Sequence, residues 1–345
     1  MAELTPFELD VLGQPAALHA VADAGAVLGL HELASHVWDR VIFTGMGSSH
    51  FAGIASWRAF TGLGNPSWSV DAGQLLDTPG LITPNSLVIA TSQSGASGEI
   101  VELIERLADG RIPRGHLVGI AANATSPLAA SADLFLPLHS GSEATVSTKS
   151  YLNSLAVHRQ LIGAFAGEAP DIAQADIRNT ATSVTAVLDS TEVSGLAELA
   201  LSFDDRRLAA VGWGDHAATA LFAGLITKEA AKVPIEGYVG GQFRHGPFEL
   251  AGPGLTVFIY SAHHSEDNPS VRRLAEDLTA TGSSVIVVGD LHVDGATTLG
   301  RSQSSALEGL ATGAVVAELI AIALANASGV VPGAFAFGSK VTTAL

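Results

Sequence analysis

The 345 residues, 47% of them hydrophobic, exceed what one compact core usually holds and point to two domains. The chain has no cysteine, which excludes a disulfide framework, a thiolate metal site and a cysteine nucleophile. Its formal charge of −17, with 17 Lys and Arg never gathered into a basic block, argues against nucleic acid or an anionic membrane surface as partner.

The opening MAELTPFELD places acids where a secretory signal would place basic residues and an apolar run, so no targeting segment is expected and the cytoplasm is the expected location. Residues 1–30 read as an N-terminal helix. Runs of β-branched and apolar residues at 40–44, 86–92, 117–121, 207–211, 255–261 and 284–289 end abruptly in Gly or Ser, and each reads as a buried parallel strand. Helical spacing separates them, as at 99–108, where Ile100, Leu103, Ile104 and Leu107 share one face. The alternation predicts an α/β fold of doubly wound parallel sheets with flanking helices, an α-β-α sandwich in each domain.

The first strand runs into Gly45-Met46-Gly47-Ser48-Ser49 and then a helix, a tight turn where unpaired backbone N–H groups and the helix dipole favour an anion. It is not the dinucleotide fingerprint, because His50 takes the place of the last glycine and no acid closes the next strand. No cofactor is expected. A second loop, TSQSGASGE at 91–99, follows another strand and concentrates hydroxyl and amide donors with no Lys or Arg. Alone it would read as a serine-rich helix cap. Paired with the first loop at the carboxyl ends of parallel strands, it suits a phosphate or sulfonate.

The halves resemble each other. VIFTGMGSSHFAGIA from Val41 matches LAAVGWGDHAATALF from Leu208, with Gly45 and Gly47 answering to Gly212 and Gly214, and the next two strands follow at similar offsets. An internal duplication accounts for this, with 166–195 as a helical connector. The expected layout is an N-terminal helix at 1–30, a domain at 31–165, the connector, a domain at 196–330 and a tail at 331–345. The apolar stretch 313–333 is interrupted by Glu318 and Pro332 and reads as a buried helix, not a membrane span. His263-His264 with Glu266 and Asp267 lie in a polar run without the spacing of a dedicated site, so no metal is expected there or elsewhere.

In order along the chain, GMGSSHFAG, TSQSGASGE, SEATVSTKSY and KEAAKVPIEGYVGGQFRHGP resemble the tandem SIS-domain sugar isomerases and deaminases, in particular the isomerase half of glucosamine-6-phosphate synthase without its glutaminase domain. The resemblance implies that Ser49, Ser92, Gln93, Ser94 and Ser97 hold the sugar's anionic group. It implies that Glu229 is the base moving a proton between C1 and C2, and that His245 opens the sugar ring, reaching in from the neighbouring subunit of a homodimer with composite sites. Lys340 then closes over the substrate from the tail. Read alone, Glu229 would be a solvated helix carboxylate beside Lys228 and Lys232, and His245 a turn histidine before Gly-Pro. Lys149 and Glu143 are expected to order a loop near the site through an ion pair or a cap.

The sequence departs from the family at three places. Phe222 and Ile226 stand where relatives carry a glutamate and a lysine ahead of the base, and Gln242 replaces the acid of the run before His-Gly-Pro. An amino group would lose its charged partners, so the expectation is an aldose–ketose isomerase acting on a neutral-ring hexose with an anionic C6 group. That group is a phosphate or a sulfonate, as in sulfoquinovose. An amino-sugar-6-phosphate deaminase is the alternative within the family. A non-catalytic sugar-phosphate sensor is the alternative from another class, disfavoured by the presence of Glu229, His245 and Lys340.

Overall fold

A computed structural model describes residues 3–261, 269–300 and 303–343. They form an α/β protein of two compact units, each built on a five-stranded parallel sheet flanked by helices.

The first unit comprises Ala16–Glu143, Lys149–Arg178 and Phe337–Leu345. Its strands are β1 (Arg40–Gly45), β2 (Ser67–Ser69), β3 (Ser86–Thr91), β4 (His116–Ala121) and β5 (Leu134–Pro137), in the order β2-β1-β3-β4-β5. All six residues of β3 are buried, because a central parallel strand is covered on both faces. That is why the run at 86–92 is uninterrupted by polar residues other than its terminal hydroxyls. The helix Gly98–Ala108 buries Ile100, Leu103, Ile104 and Leu107, the face its spacing predicts, against Val88, Ala90 and Leu117 of the sheet. On the other side the helices Ser48–Gly62 and Lys149–Phe165 pack together.

The second unit comprises Met1–Pro15, Ala144–Thr148 and Asn179–Ala336. Its strands are β6 (Arg207–Gly212), β7 (Glu236–Val239), β8 (Leu255–Tyr260), β9 (Ser284–Val288) and β10 (Thr297–Leu299), in the order β10-β9-β8-β6-β7. Taken in chain order, these repeat the topology of β1 to β5. The glycines repeat as well. A Cβ on Gly45 would stand 2.5 Å from the Thr91 carbonyl and one on Gly212 1.9 Å from the His216 carbonyl, while Gly47 and Gly214 take φ of 53° and 59°. The matched glycines therefore do the same steric work at the same turn.

Three features differ from the expected layout. The N-terminal region is two helices, Pro6–Leu12 and Gln14–Asp23, where one was expected. The first is opened by a capping box, in which Thr5 Oγ1 accepts from the Glu8 N–H and Glu8 Oε2 accepts from the Thr5 N–H. It stops because Pro15 has no N–H to extend the ladder. The connector is the helix Pro170–Ser190, and the division between units falls within it. The strands β2, β5, β7 and β10 add to the six expected ones; they are only three or four residues long and partly exposed, β2, β7 and β10 are of mixed polarity, and the apolar β5 ends at once in Pro137, so none carries a strand signal of its own.

The apolar stretch lies mostly in the helix Ala306–Ala327, which is long and apolar enough to cross a membrane, yet 67% of its most apolar window is buried in the protein. Glu318 on this helix is 0% exposed, and both its carboxylate oxygens accept from Gln14 Nε2, at 2.9 and 2.7 Å.

Candidate active site

In the first unit the chain leaves β1 towards β2 and leaves β3 towards β4. The carboxyl ends of β1 and β3 therefore border the topological switch point, where open α/β sheets bind ligands. The register sets Gly45 opposite Thr91, so the two loops that continue from these strands start side by side.

The first loop turns at Gly47 and enters the helix Ser48–Gly62 with no side-chain cap, leaving the first N–H groups of that helix without an intrahelical partner. Ser49 is half-buried, and its N–H donates to the Met46 carbonyl at 3.1 Å. Next to it, His50 Nε2 lies 3.1 Å from Ser69 Oγ. Burial pulls its imidazole below the ordinary value, against the opposing pull of Asp71.

The second loop holds itself open with its own hydroxyls. Ser92 Oγ accepts from the Gly95 N–H at 3.2 Å and stands 3.4 Å from Ser97 Oγ, and Ser94 Oγ accepts from the Ala96 N–H at 3.1 Å. Because Ser94 serves as acceptor to the Ala96 N–H, it keeps a proton to donate outward, while Ser92 and Ser97 face each other and either can donate. The Gln93 carbonyl accepts from the Ala122 N–H, which pins the loop to the strand end and leaves the side-chain amide half-buried. Ser97 is the N-cap of the helix Gly98–Ala108 and makes no capping bond with its side chain. The structure thus gathers Ser49, Ser92, Gln93, Ser94 and Ser97 at one switch point.

The C-terminal segment belongs to this same unit. The Thr342 carbonyl accepts from the Gly98 N–H at 3.1 Å, and Lys340 Nζ donates to Glu143 Oε2 at 2.7 Å. The Glu143 side chain is 0% exposed, and its carboxylate also accepts from the Ser150 N–H at 3.0 Å and Ser150 Oγ at 2.8 Å, at the start of the helix Lys149–Phe165. A buried carboxylate is held there by an ammonium, a hydroxyl and a helix N-terminus together. Lys149 donates to the Ser142 carbonyl at 2.6 Å. The pairing of Lys340 with Glu143 leaves no trace in the sequence, because 197 positions separate the two residues.

Glu229 and His245 belong to the second unit. Glu229 is half-buried two residues before the end of the helix His216–Ala231. Lys232 closes that helix in the left-handed region, with φ of 58°, and its Nζ donates to the Glu229 carbonyl. His245 is exposed between the short turns Gly240–Arg244 and Pro247–Leu250, where its N–H donates to the Gln242 carbonyl. Arg244 anchors that loop on Asp277 at 2.7 Å. Phe222 and Ile226 are 0% exposed, so the apolar residues at those places are core of this unit. The histidine pair at 263 and 264, with Glu266 and Asp267, lies outside the described residues, and among the described residues no three His, Cys, Asp or Glu cluster as a metal site would.

Residues 36–164 match the SIS domain family. Over 302 residues, 82% of this chain, the sequence is 29% identical to the glutamine–fructose-6-phosphate aminotransferase (isomerizing) of Aeropyrum pernix, and the match covers 45% of that protein. The chain spans less than half the length of the curated relatives it matches. The fold superposes on the C-terminal domain of glucosamine-fructose-6-phosphate aminotransferase from Francisella tularensis with a TM-score of 0.82, at 19% identity over 94% of this chain and 96% of that one. It superposes on the tagatose-6-phosphate ketose/aldose isomerase of Escherichia coli with a TM-score of 0.79, at 21% identity over 95% and 94%. The chain therefore carries a SIS domain at residues 36–164 and is homologous to the isomerase (SIS) domain of glutamine–fructose-6-phosphate aminotransferases.

Proposed function

We propose that this protein is an aldose–ketose isomerase acting on a hexose with an anionic group at C6. The observation that carries the reading is the pair of loops after β1 and β3, which line a switch point with serine hydroxyls, a glutamine amide and a helix start, without a Lys or Arg of their own. Neutral donors of this kind recognise phosphate or sulfonate by hydrogen-bond geometry, each bond to the charged group contributing on the order of 1.5–3 kcal/mol.

In this reading Ser49, Ser92, Gln93, Ser94 and Ser97 hold the anion. His245 donates a proton to the ring oxygen as the anomeric hydroxyl gives up its own and the hemiacetal opens to the aldehyde. Glu229 then removes the proton from C2 of the open aldose as O1 gains one, giving an enediol, and returns a proton to C1 as O2 loses its own, giving the ketose, so that no net proton is consumed. Lys340 offers an ammonium for the developing oxyanion, which it reaches by leaving Glu143. The reading includes a homodimer in which each subunit supplies His245 to its partner, and a cytoplasmic location.

Isomerisation is favoured over deamination because Phe222 and Ile226 are packed in the core and Gln242 is neutral, which leaves those three places without a charged partner for an amine. The experiment is to incubate the protein with a panel of hexose 6-phosphates, glucosamine 6-phosphate and sulfoquinovose, following aldose–ketose exchange and ammonia release. Exchange on a neutral-ring member without ammonia is expected. Ammonia from glucosamine 6-phosphate would establish the deaminase instead, and binding without turnover of any member would leave a sensor.

A further inference from the structure

His158, on the helix Lys149–Phe165, is 2% exposed, and both its ring nitrogens meet hydroxyls: Nδ1 lies 2.8 Å from Ser56 Oγ and Nε2 3.0 Å from Thr91 Oγ1. The two partners stand on the two elements that carry the anion loops. Ser56 belongs to the helix Ser48–Gly62, which begins directly after the first loop, and Thr91 ends β3, one residue before Ser92. One imidazole therefore ties the helix of one loop to the strand of the other.

The surroundings make this polar ring conspicuous. Phe43 lies 5.8 Å away, ring centre to ring centre, and itself packs on Phe60, which packs on Phe165. Such a pocket would accept Phe or Leu on packing grounds alone. Burial lowers the imidazole to about 4, so at neutral pH the ring has one donor and one acceptor nitrogen, and the two hydroxyls complete both. Every polar atom of the bridge is thus engaged, which makes it directional rather than merely space-filling.

We propose that His158 is a positioning residue that holds the two anion-binding loops at the spacing one phosphate-sized group requires. This rests on the reading of those loops as the anion site. The lever is short: releasing Thr91 frees the start of the Ser92–Ser97 loop, releasing Ser56 frees the helix behind Ser49, and misplacement of a binding group by about an ångström is costly in such sites.

The test is a calorimetric titration with inorganic phosphate of the full-length wild type, His158→Phe, Ser56→Ala, Thr91→Val and the two double variants that add Ser56→Ala or Thr91→Val to His158→Phe, with Ser94→Ala as control. Melting temperatures are recorded in parallel. His158→Phe should weaken phosphate about tenfold, a loss of about 1.4 kcal/mol. Ser56→Ala and Thr91→Val should each weaken it less, and neither should add to His158→Phe, since the bridge is already gone. A merely structural histidine would lower the melting temperature and leave the phosphate constant alone, which overturns the inference provided Ser94→Ala still weakens binding. Should Ser94→Ala itself bind phosphate as the wild type does, the anion site falls and this inference with it. If His158→Phe does not fold, the two hydroxyl variants decide, and wild-type affinity in both overturns the proposal.

Discussion

The two sheets repeat one topology and one glycine-shaped turn, but the side chains beyond that turn differ. After Gly47 the first copy has Ser48 and Ser49, whereas after Gly214 the second has Asp215 and His216. A carboxylate at that helix start already answers the dipole and repels an anion. His216 is 3% exposed, with Nδ1 3.2 Å from Thr219 Oγ1, and burial lowers it to about 4, so its ring fills the place with no positive charge to offer. The reverse holds at the far end of the same helices, where the residue answering to Glu229 in the first copy is Gly62. Duplication kept the backbone device in both copies, and in the proposed reading the side chains assign anion binding to the first and proton transfer to the second.

The sharpest way to break that division is Glu229→Gln, which keeps the shape and removes the basicity. Turnover should fall by about 10²–10⁴-fold while substrate binding persists, because the anion loops are untouched. In deuterated water the wild type should carry solvent deuterium into C1 or C2. A variant that isomerises at the wild-type rate would return Glu229 to an ordinary helix carboxylate. Mixing inactive Glu229→Gln with inactive His245→Ala chains should restore part of the activity, since one mixed site then has both groups intact. Mixed dimers that stay dead would place both groups of each site on a single chain.

Next in size is the anion loop. Ser94→Ala or Gln93→Ala should weaken substrate binding by about 1.5–3 kcal/mol, the loss expected for one hydrogen bond to a charged group. The matched change in the second copy, Asp215→Asn, should leave affinity unchanged. Equal losses in both copies, measured by titration, would erase the distinction between them.

The features legible in the sequence are those written in contiguous residues. The six central strands announce themselves because strands buried on both faces must be apolar throughout, and the Gly45 and Gly212 turns because only glycine fits there. The edge strands stay hidden for the opposite reason, half-exposed segments such as Ser67–Ser69 carrying no periodic signal. Ser49 and the 92–97 hydroxyls are readable in the sequence as a candidate anion site, because their chemistry and their place after two strands lie in contiguous residues. His158 is not, since a lone histidine on a helix face says nothing of which hydroxyls its two nitrogens will meet. Nor is the joining of 337–345 to the first unit and of 1–15 to the second, which depends on contacts between residues far apart in the chain.

The smallest effect per step is acid sensitivity, and it tests whether the two buried histidines are the symmetrical feature they resemble. His158 in the first unit and His216 in the second both fall to about 4, chiefly through burial, from an unfolded value near 6.5. Between those values the unfolded chain binds protons that the native chain refuses, so stability is complete above about pH 6.5 and is lost as pH falls towards 4. Each histidine should contribute a slope of about 1.4 kcal/mol per pH unit across that window. Chemical denaturation between pH 7 and 4 should show His158→Phe flattening the transition of the first unit and His216→Phe that of the second. The partners differ, but the outcomes should match. His158 meets two hydroxyls, whereas His216 has Gln303 and Asp290 pulling the other way, yet burial outweighs them and brings both rings to about 4. Equal acid slopes from the two units are therefore expected, and a clearly shallower slope from the second would mean that the charge of Asp290 offsets more of the burial at the His216 ring.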